Sequence, residues 1–348
     1  MKTPVRRAAI ALAAVAVLAA AAGCAAAAAP ATGSAERVRA EARSAVTARA
    51  VSDASASDAS ASASASATAA SAACNPKAAS LAPDGPPQVT SGSFMATIRA
   101  HGYLIAGVDQ STYHFGFFNP LDGQIEGFDI DMVRAVAQAI FGNPNKVKYK
   151  VITDTERIPD IRDGSVDIVA DTMTISCARL QQVDFSSVYF DAHQRILVQD
   201  NSTVDSLADL AGQKVCVTSG SDSGGNLLRL SGAKKPIIVS LPYWTDCLVQ
   251  LQQNQVAAIS TDDSILDGLK AQDPFTKVVG PELTDEPYGL AISKQHPDFV
   301  RFVNAVLAEE RADGAWAKSY ATWVSTQVPA PPPAQYASLP ANGKRPRD

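Results

Sequence analysis

The 22 aromatic residues of this 348-residue chain all lie beyond position 93, beginning at Phe94. Large apolar side chains supply most of the area that a core buries, whereas alanine, which raises the hydrophobic share to 46%, supplies little. A folded body must therefore lie mostly between about residues 91 and 325. The segments on either side are too poor in large side chains to build a core of their own.

The first 24 residues have the pattern of an export signal. A basic end precedes an apolar run at residues 8–22, which is too short and too rich in alanine to be a good membrane span. The run leads into Ala-Ala-Gly-Cys, which resembles a bacterial lipobox with Ala21 where leucine is usual. We expect residues 1–23 to be a lipoprotein signal peptide. A lipidated Cys24 would then hold an extracytoplasmic protein at the outer face of the cytoplasmic membrane by its lipid anchor only. The alternative is an ordinary secretory signal with an incidental cysteine.

Two polar segments flank the predicted body. Between residues 51 and 73, 19 of 23 residues are alanine or serine, and such a sequence cannot bury enough area to offset the entropy lost on ordering. We therefore predict a flexible, disordered stalk over residues 24–90. Six of the last 20 residues are proline, which cannot continue a helix, so residues 326–348 are predicted to be an extended, disordered tail.

The formal charge of the chain is −5, from 30 basic and 35 acidic residues. An acidic chain without a basic stripe is a poor partner for nucleic acid or for anionic lipid. We therefore exclude nucleic-acid-binding functions.

Four cysteines remain once Cys24 is set aside for lipidation. An even number in an exported protein suggests two disulfides, for which three pairings are possible. Cys216 and Cys247 lie in the same segment of chain, so we predict that they form one pair and that Cys74 and Cys177 form the other. Metal binding is the alternative. However, the chain has no C-x-x-C motif and its four histidines are scattered, so we expect no metal site.

Between the flanks, short apolar runs alternate with segments of helical periodicity. Residues 103–109 form an apolar run that ends in an acid, as a buried strand would. Gly127 then opens a helix that Asp129 or Asp131 could cap and that Gly142 ends. This alternation predicts an α/β fold with parallel sheets. Further strands are predicted at residues 147–152, 166–170, 214–218, 257–260 and 288–293, and further helices at 158–162, from about 225, at 247–253 and over 298–324.

Polar clusters follow four of the predicted strands, where α/β proteins bind their ligands. They are Asp109, residues 172–179, residues 218–225 and residues 261–263. Together they offer a guanidinium, hydroxyl groups, carboxylates and a Gly/Ser loop at a helix start, where free N–H groups favour an anion. An arginine fork binds a carboxylate and a carboxylate binds an ammonium, so the set suits the two charges of an α-amino acid. Each feature alone could equally be a surface ion pair, a cap or a connector.

Five motifs, in this order, resemble the bacterial extracellular solute-binding proteins of family 3, the polar amino-acid receptors of ABC importers. Asp129 lies in GFDIDM, Arg157 in ERIPDIRDGSVDIV and Arg179 in TMTISCARLQQVDFSSVYF, followed by TSGSDS and EPYGLAI. The likeness runs from about residue 94 to residue 323. The actinobacterial glutamate- and glutamine-binding lipoproteins are similar in character, because they share the cysteines near Thr174 and before the Gly/Ser loop.

The resemblance implies a two-lobed, type II periplasmic-binding-protein fold. Two hinge strands would cross between α/β lobes that close over the ligand. Residues 91–198 and 288–325 would form the first lobe and residues 199–287 the second. It also implies no cofactor and no catalytic residue, and we expect a monomer.

The resemblance assigns the contacts to the two charges of the ligand residue by residue. Arg179 and Thr174 would hold the α-carboxylate, helped by N–H groups near Ser221 and Asp222. Asp262 would take the α-ammonium.

Three further positions complete the implied site. The carbonyl of Thr172, where many members carry glycine, would also take the α-ammonium. Arg157 matches the arginine that acidic-amino-acid members direct at the side-chain carboxylate, which favours glutamate or aspartate. Asp109 matches a position that contacts a side-chain nitrogen in glutamine and basic-amino-acid binders. That match suits an acidic ligand poorly, so glutamine stays open.

The predicted function is therefore capture of an acidic or amide amino acid between the lobes and its presentation to an ABC permease. One alternative is a sensor lipoprotein that reports amino-acid levels to a transmembrane partner. Another is an enzyme, because dehydratases related to cyclohexadienyl dehydratase resemble this fold. They need a cleft acid for proton transfer, and Glu156 is the nearest candidate.

Overall fold

The computed structural model describes residues 74–337. The predicted signal peptide, Cys24 and the predicted stalk up to residue 73 lie outside the described residues, as does the predicted tail from residue 338. Within the described range, no helix is both long and apolar enough to cross a bilayer.

Helices and strands alternate along most of the described chain. The α-helices are α1 (Phe94–His101), α2 (Phe128–Phe141), α3 (Arg157–Asp163), α4 (Ser223–Leu230), α5 (Trp244–Gln252), α6 (Asp263–Gln272), α7 (Pro297–Ala312) and α8 (Ala315–Trp323). The first seven β-strands are β1 (Leu104–Val108), β2 (Ser111–Thr112), β3 (Gly116–Asn119), β4 (Gln124–Glu126), β5 (Val147–Val151), β6 (Ile168–Ala170) and β7 (Asp184–Phe185). The others are β8 (Phe190–Gln199), β9 (Lys214–Thr218), β10 (Ile237–Leu241), β11 (Ala258–Asp262), β12 (Thr276–Val279), β13 (Asp285–Tyr288) and β14 (Ala291–Ile292).

Two sheets organise the body. The first has the order β5-β1-β6-β14-β7 and the second β10-β9-β11-β8-β12, while β2, β3 and β4 form a small antiparallel sheet. We refer to the part built on the first sheet as the first lobe and the part built on the second as the second lobe. The expectation of parallel sheets is wrong in part. The pairs β1–β5, β1–β6, β9–β10 and β9–β11 are parallel. However, β8 runs antiparallel to its neighbours as the chain leaves the first lobe, and β14 runs antiparallel to its neighbours after the chain returns.

Two strands connect the lobes. Phe190–His193 at the start of β8 pairs antiparallel with β13, and the rest of β8 pairs with β11 and β12 in the second sheet. These are the two hinge strands that the family resemblance implied. The lobe limits at residues 198 and 288 stay a prediction. Strand β8 changes its partner from β13 to β11 near residue 194, which favours a crossing into the second lobe earlier than residue 198.

Each lobe has its own hydrophobic core. The core of the second lobe draws only on residues 196–279, whereas the largest core of the first lobe combines residues 81–192 with residues 288–316. A third cluster beneath α3 contains Ile152, Ile161 and Val169. Because the apolar contacts divide in this way, the polar surfaces between the lobes are free to form a site.

Helix α2 begins and ends where the sequence predicts, but it is not capped as expected. Gly127 has φ +134°, and a Cβ there would lie 2.2 Å from the carbonyl oxygen of Phe115, so only glycine fits. Neither Asp129 nor Asp131 makes a side-chain cap bond. Both carboxylates accept hydrogen bonds from distant residues instead, and Asp131 accepts from Ser319 and Trp323.

The described ends of the two predicted flanks pack on the first lobe, which corrects the predicted limits of the stalk and the tail. Ser80 Oγ donates to the Phe185 carbonyl at 2.7 Å, and Asn304 Nδ2 donates to the Leu81 carbonyl at 2.6 Å. Tyr336 pairs in parallel with Ser80. Composition could not reveal this docking, because it depends on a few specific contacts with distant residues, including the burial of Leu81 in the first-lobe core.

Candidate functional site

Two buried arginines of the first lobe converge on one carbonyl of the second. Arg157 begins α3, and Arg179 begins a short 3₁₀ turn after β6. Their Nη2 atoms donate to the carbonyl oxygen of Gly220 at 3.2 and 3.3 Å. Gly220 has φ +90°, and a Cβ there would lie 2.9 Å from the backbone of residues 154 and 155. Only glycine therefore allows the lobes to approach this closely.

Arg179 also contacts a carboxylate across the cleft. Its Nη1 donates to the carbonyl oxygen of Thr174 at 2.8 Å and lies 3.2 Å from Oδ2 of Asp222. Burial, reinforced by the charge of Arg157, lowers the pKa of Arg179, but an arginine stays protonated in proteins. Asp222 keeps 38% of its side chain exposed. Arg179 can therefore exchange this half-exposed carboxylate for that of a ligand.

Arg157 is enclosed by carboxylates of its own lobe. Nη1 lies 3.2 Å from Oδ1 of Asp154, and Nε lies 3.7 Å from Oδ2 of Asp171. The backbone carbonyls of both aspartates accept further hydrogen bonds from the guanidinium. Burial pulls the pKa of Arg157 down, but the neighbouring carboxylates outweigh burial and raise it. The charge of Arg157 is thus already balanced within the protein.

Two buried acids, Asp262 and Glu286, line the same space and could bind a cation. Asp262 ends β11 and accepts a hydrogen bond from the Tyr288 hydroxyl at 2.7 Å. Glu286, on β13, accepts from Thr284 Oγ1 at 2.6 Å and Asn226 Nδ2 at 3.0 Å. Burial raises the pKa of both acids, and the Glu286 charge adds to the rise at Asp262. A cation bound here would offset that repulsion.

Asp129 fixes the backbone of Thr172. One carboxylate oxygen accepts from the Tyr189 hydroxyl at 2.6 Å, and the other accepts from the Thr172 N–H at 2.7 Å. Thr172 has φ +40°, a conformation that β-branched residues rarely adopt and that costs on the order of 1–3 kcal/mol. The buried acceptor thus holds a strained residue at the edge of the site.

The structure brings seven of the eight predicted ligand-contacting residues around one small space between the lobes. The free volume is only about 20 Å³, so an amino acid enters only if the lobes separate or side chains turn. The seven predicted residues that line it are Arg157, Thr172, Thr174, Arg179, Ser221, Asp222 and Asp262.

Asp109 is the predicted residue that does not line this space. Its carboxylate accepts from the backbone N–H groups of Gln110 and Ser111 and from the hydroxyls of Ser111 and Thr112. Four local donors therefore hold it in its own turn.

A sequence model of the bacterial extracellular solute-binding proteins, family 3, matches residues 104–326. The chain belongs to this family. The type II periplasmic-binding-protein fold that the motifs implied is confirmed, and family members act outside the cytoplasm as amino-acid-binding components of ABC transporters.

Several relatives of this family-3 protein have names that state a ligand. The ABC transporter glutamine-binding protein GlnH of Bacillus subtilis is 34% identical over 231 residues, which cover 66% of this chain and 84% of that one. The glutamate/aspartate import solute-binding protein of Salmonella typhimurium is 28% identical over 257 residues, covering 71% and 84%. Among solved structures, an ancestral arginine-binding protein bound to glutamine is 33% identical with a TM-score of 0.59, covering 64% and 98%.

Both predicted disulfides of this family-3 protein are confirmed. Cys216–Cys247 joins β9 to α5, and Cys74–Cys177 joins the described N-terminal segment to the loop two residues before Arg179. The second disulfide therefore attaches the start of the body beside the site.

Six of the residues that line the site were not among the predicted ligand contacts. Four of them carried a recognisable signal: Asp154 is an acid soon after a predicted strand, Glu286 lies within the EPYGLAI motif, and Ser223 and Thr261 lie within the polar clusters 218–225 and 261–263. The other two, Trp244 and Ile265, lie in helices whose inward face the sequence does not reveal. The six are Asp154, Ser223, Trp244, Thr261, Ile265 and Glu286.

Proposed function

We propose that this protein captures glutamine between its lobes and presents it to the permease of an ABC importer. The observation that carries the proposal is the placement of Arg179 and Asp262, from opposite lobes, on one enclosed space. A guanidinium and a carboxylate so placed suit the α-carboxylate and the α-ammonium of one zwitterion. Because the ligand would contact both lobes, it would favour their closed arrangement.

The choice of glutamine rests on the state of Arg157. The motif resemblance favoured glutamate or aspartate, on the premise that Arg157 meets a side-chain carboxylate. The carboxyl groups of Asp154 and Asp171 already lie 3.2 and 3.7 Å from its guanidinium, so an incoming acidic side chain would compete with them for one cation. An uncharged amide carries no such cost and can both donate and accept hydrogen bonds.

The surrounding charges support the same preference. Five acids lie on or beside the space, whereas the two arginines are its cations. The five are Asp154, Asp171, Asp222, Asp262 and Glu286. Burial raises the pKa of Asp171, Asp262 and Glu286, and an anionic side chain nearby would make their ionisation harder still. The acids therefore favour ligands whose side chain is neutral over those whose side chain is anionic. The name of the Bacillus subtilis relative, a glutamine-binding protein, agrees with this preference.

We propose that the protein acts as a monomeric binding protein and not as an enzyme, tethered through Cys24 as the leader suggests. Glu156, the acid that a dehydratase would use, is exposed, and it accepts from the Thr153 N–H and hydroxyl at 2.7 Å. It does not line the space. The acid on which the enzyme alternative depends is therefore not among the residues that line the described site, whereas a sensor would use the same site.

The test is calorimetric titration of the purified protein with glutamine, glutamate, aspartate, asparagine and arginine. We expect glutamine to bind most tightly and glutamate at least about tenfold more weakly, a difference of about 1.4 kcal/mol. Tighter binding of glutamate would contradict the choice of ligand, and no binding of any amino acid would contradict the function.

A further inference from the structure

A second concave surface lies between the lobes, away from the amino-acid site. It is a groove of about 810 Å³ that shares no lining residue with that site. The first lobe contributes the β2–β4 sheet and the end of α8, and the second lobe contributes the start of α5 and the end of α6. We call it the aromatic groove. Its size is within the range of sites that bind small molecules.

The aromatic groove combines aromatic rings with uncharged polar side chains, and its lining holds a single charged residue. Five of the 22 aromatic residues of the chain line it, and Glu126 is the lining residue with a charged side chain. No lysine, arginine or histidine contributes to this lining. The five are Tyr113, Phe117, Phe118, Tyr243 and Trp323.

Three rings of the first lobe pack edge to face in the lining of the aromatic groove. The centroids of Tyr113 and Phe117 are 4.7 Å apart with planes at 60°, and those of Phe117 and Trp323 are 5.9 Å apart with planes at 78°. Trp323 is fixed because its Nε1 donates to Asp131 Oδ2 at 2.7 Å. Glu126 is held by Asn119, whose Nδ2 donates to Oε1 at 2.7 Å. These two hydrogen bonds hold the side chains of Trp323 and Glu126 in position without a ligand.

We propose that the aromatic groove is a second binding site, for an organic cation that carries an alkylated ammonium group. Aromatic faces attract such cations through the ring quadrupole, and the Glu126 carboxylate in the lining adds direct charge complementarity. A neutral sugar could use the polar side chains of the lining, but it would gain nothing from that negative charge. An anion would find no cation among the lining residues, and Glu126 would repel it.

The position of the aromatic groove links it to the amino-acid site. A Cβ on Gly268 of α6 would lie 2.6 Å from the Tyr113 carbonyl oxygen, so the two lobes touch beside the groove. A cation that contacts Tyr113 on one lobe and Tyr243 on the other bridges the lobes, so it favours the arrangement in which both residues line one groove. By linkage, the cation then raises the affinity for glutamine, and glutamine raises the affinity for the cation by the same factor. This coupling rests on the proposed function, whereas the cation site does not.

The experiment uses choline as the probe and titrates it into the full chain by calorimetry with no amino acid present. We expect binding of choline, and binding at least about threefold weaker for its neutral isostere, in which carbon replaces the nitrogen. Equal binding of the isostere would overturn the proposal, because the groove would then recognise only apolar bulk. Failure of choline to bind at millimolar concentration, or binding of glucose in its place, would overturn it as well.

Three variants locate the site. Tyr113→Ala removes one wall, and Glu126→Gln removes the charge while keeping the shape of the side chain. We expect each to weaken choline binding by about three- to tenfold. Phe275→Ala is the control, because Phe275 is an aromatic residue with 76% exposure that lies outside the groove. Unchanged choline binding in Glu126→Gln, or a loss in Phe275→Ala equal to that in the groove variants, would contradict the assignment.

Titrations of glutamine with and without saturating choline separate the two proposals. We expect choline to tighten glutamine binding by about two- to tenfold. Binding of choline without any binding of glutamine would leave the cation site standing and reject the proposed function. Binding of glutamine without binding of choline would support the proposed function and reject the cation site.

Discussion

Asp154 and Arg157, three residues apart in the chain, form a buried ion pair at the amino-acid site, with Oδ1 3.2 Å from Nη1. Asp154 follows β5, and Arg157 opens α3. The pair therefore lies where the strand leads into the helix. It explains why the presence of an arginine in the motif does not by itself predict an acidic ligand. The partner that neutralises the arginine decides what the arginine can recognise.

Asp154→Asn should shift the preference from glutamine towards glutamate. The substitution removes one of the two carboxylates that balance Arg157, so the guanidinium can accept an acidic side chain. We expect the ratio of glutamate to glutamine affinity to rise by roughly tenfold, measured by calorimetric titration. Asp163→Asn, at an exposed position at the end of α3, is the control and should leave the ratio of affinities unchanged. An unaltered ratio in Asp154→Asn would show that Arg157 does not face the ligand side chain.

Arg179→Lys should strongly weaken binding of every amino acid. A lysine presents a point charge and cannot donate two parallel bonds to a carboxylate, nor can it contact Thr174 and the second lobe together. Removal of one partner from a buried charged pair costs about 2–5 kcal/mol, so affinity should fall by at least about thirtyfold. The matched control is Arg162→Lys, on the exposed side of α3. Retained affinity in Arg179→Lys would reject the assignment of the α-carboxylate.

Glutamine affinity should fall as the solution is acidified. Burial raises the pKa of Asp262 well above its ordinary value, and the charge of Glu286 raises it further. The ligand ammonium needs the ionised carboxylate, so a protonated Asp262 must lose its proton before binding. Affinity is then full above the pKa of Asp262 and decreases below it. Titrations between pH 5 and pH 8 measure this dependence, and an affinity that is constant over this range would contradict the role of Asp262.

Folding stability should respond to pH in the opposite direction at Asp129. Burial raises the pKa of this carboxyl from 3.8 to about 6. Between these values the folded state binds more protons than the unfolded state, so stability from this group is lost as pH rises through the window. We expect the free energy of unfolding, relative to that of Asp129→Asn, to fall by on the order of 2 kcal/mol between about pH 4 and pH 7. Urea unfolding of both proteins at the two pH values provides the measurement. Parallel changes in the two proteins would contradict the raised pKa.

The two disulfides should contribute unequally to stability. Cys74–Cys177 closes a loop of 103 residues and Cys216–Cys247 one of 31. The chain-entropy model gives about 4.7 and about 3.7 kcal/mol respectively. Replacing both cysteines of a pair with serine should therefore lower the free energy of unfolding more for the Cys74 pair. The same variant should also weaken glutamine binding, because it frees the loop that precedes Arg179. A larger loss from the Cys216 pair would contradict the first expectation.

The family motifs and the alternation of apolar runs made the α/β class, the two hinge strands and seven residues around the cleft predictable from the sequence. Strand Lys214–Thr218 and the limits of α2 at Gly127 and Gly142 were predicted closely, because local patterns and glycine conformations fix them. The caps expected from Asp129 and Asp131 were wrong. A local signal cannot show that a carboxylate will meet a tyrosine or a tryptophan from elsewhere in the chain.

The sequence by itself determined where the core could form, which cysteines could pair and which charged groups were available for a zwitterion. Those properties depend on residue types and on short spacings along the chain. Tertiary structure alone decided that Asp171 and Asp154 balance Arg157, that Glu286 joins Asp262, and that Asp109 is held within its own turn. The approaches of Asp171 to Arg157 and of Glu286 to Asp262 join distant parts of the chain. The contacts of Asp154 and Asp109 are local in sequence, but residue types alone do not show which nearby donor each carboxylate meets. Burial makes all of these contacts decisive, because the low-dielectric interior strengthens each charge that it encloses.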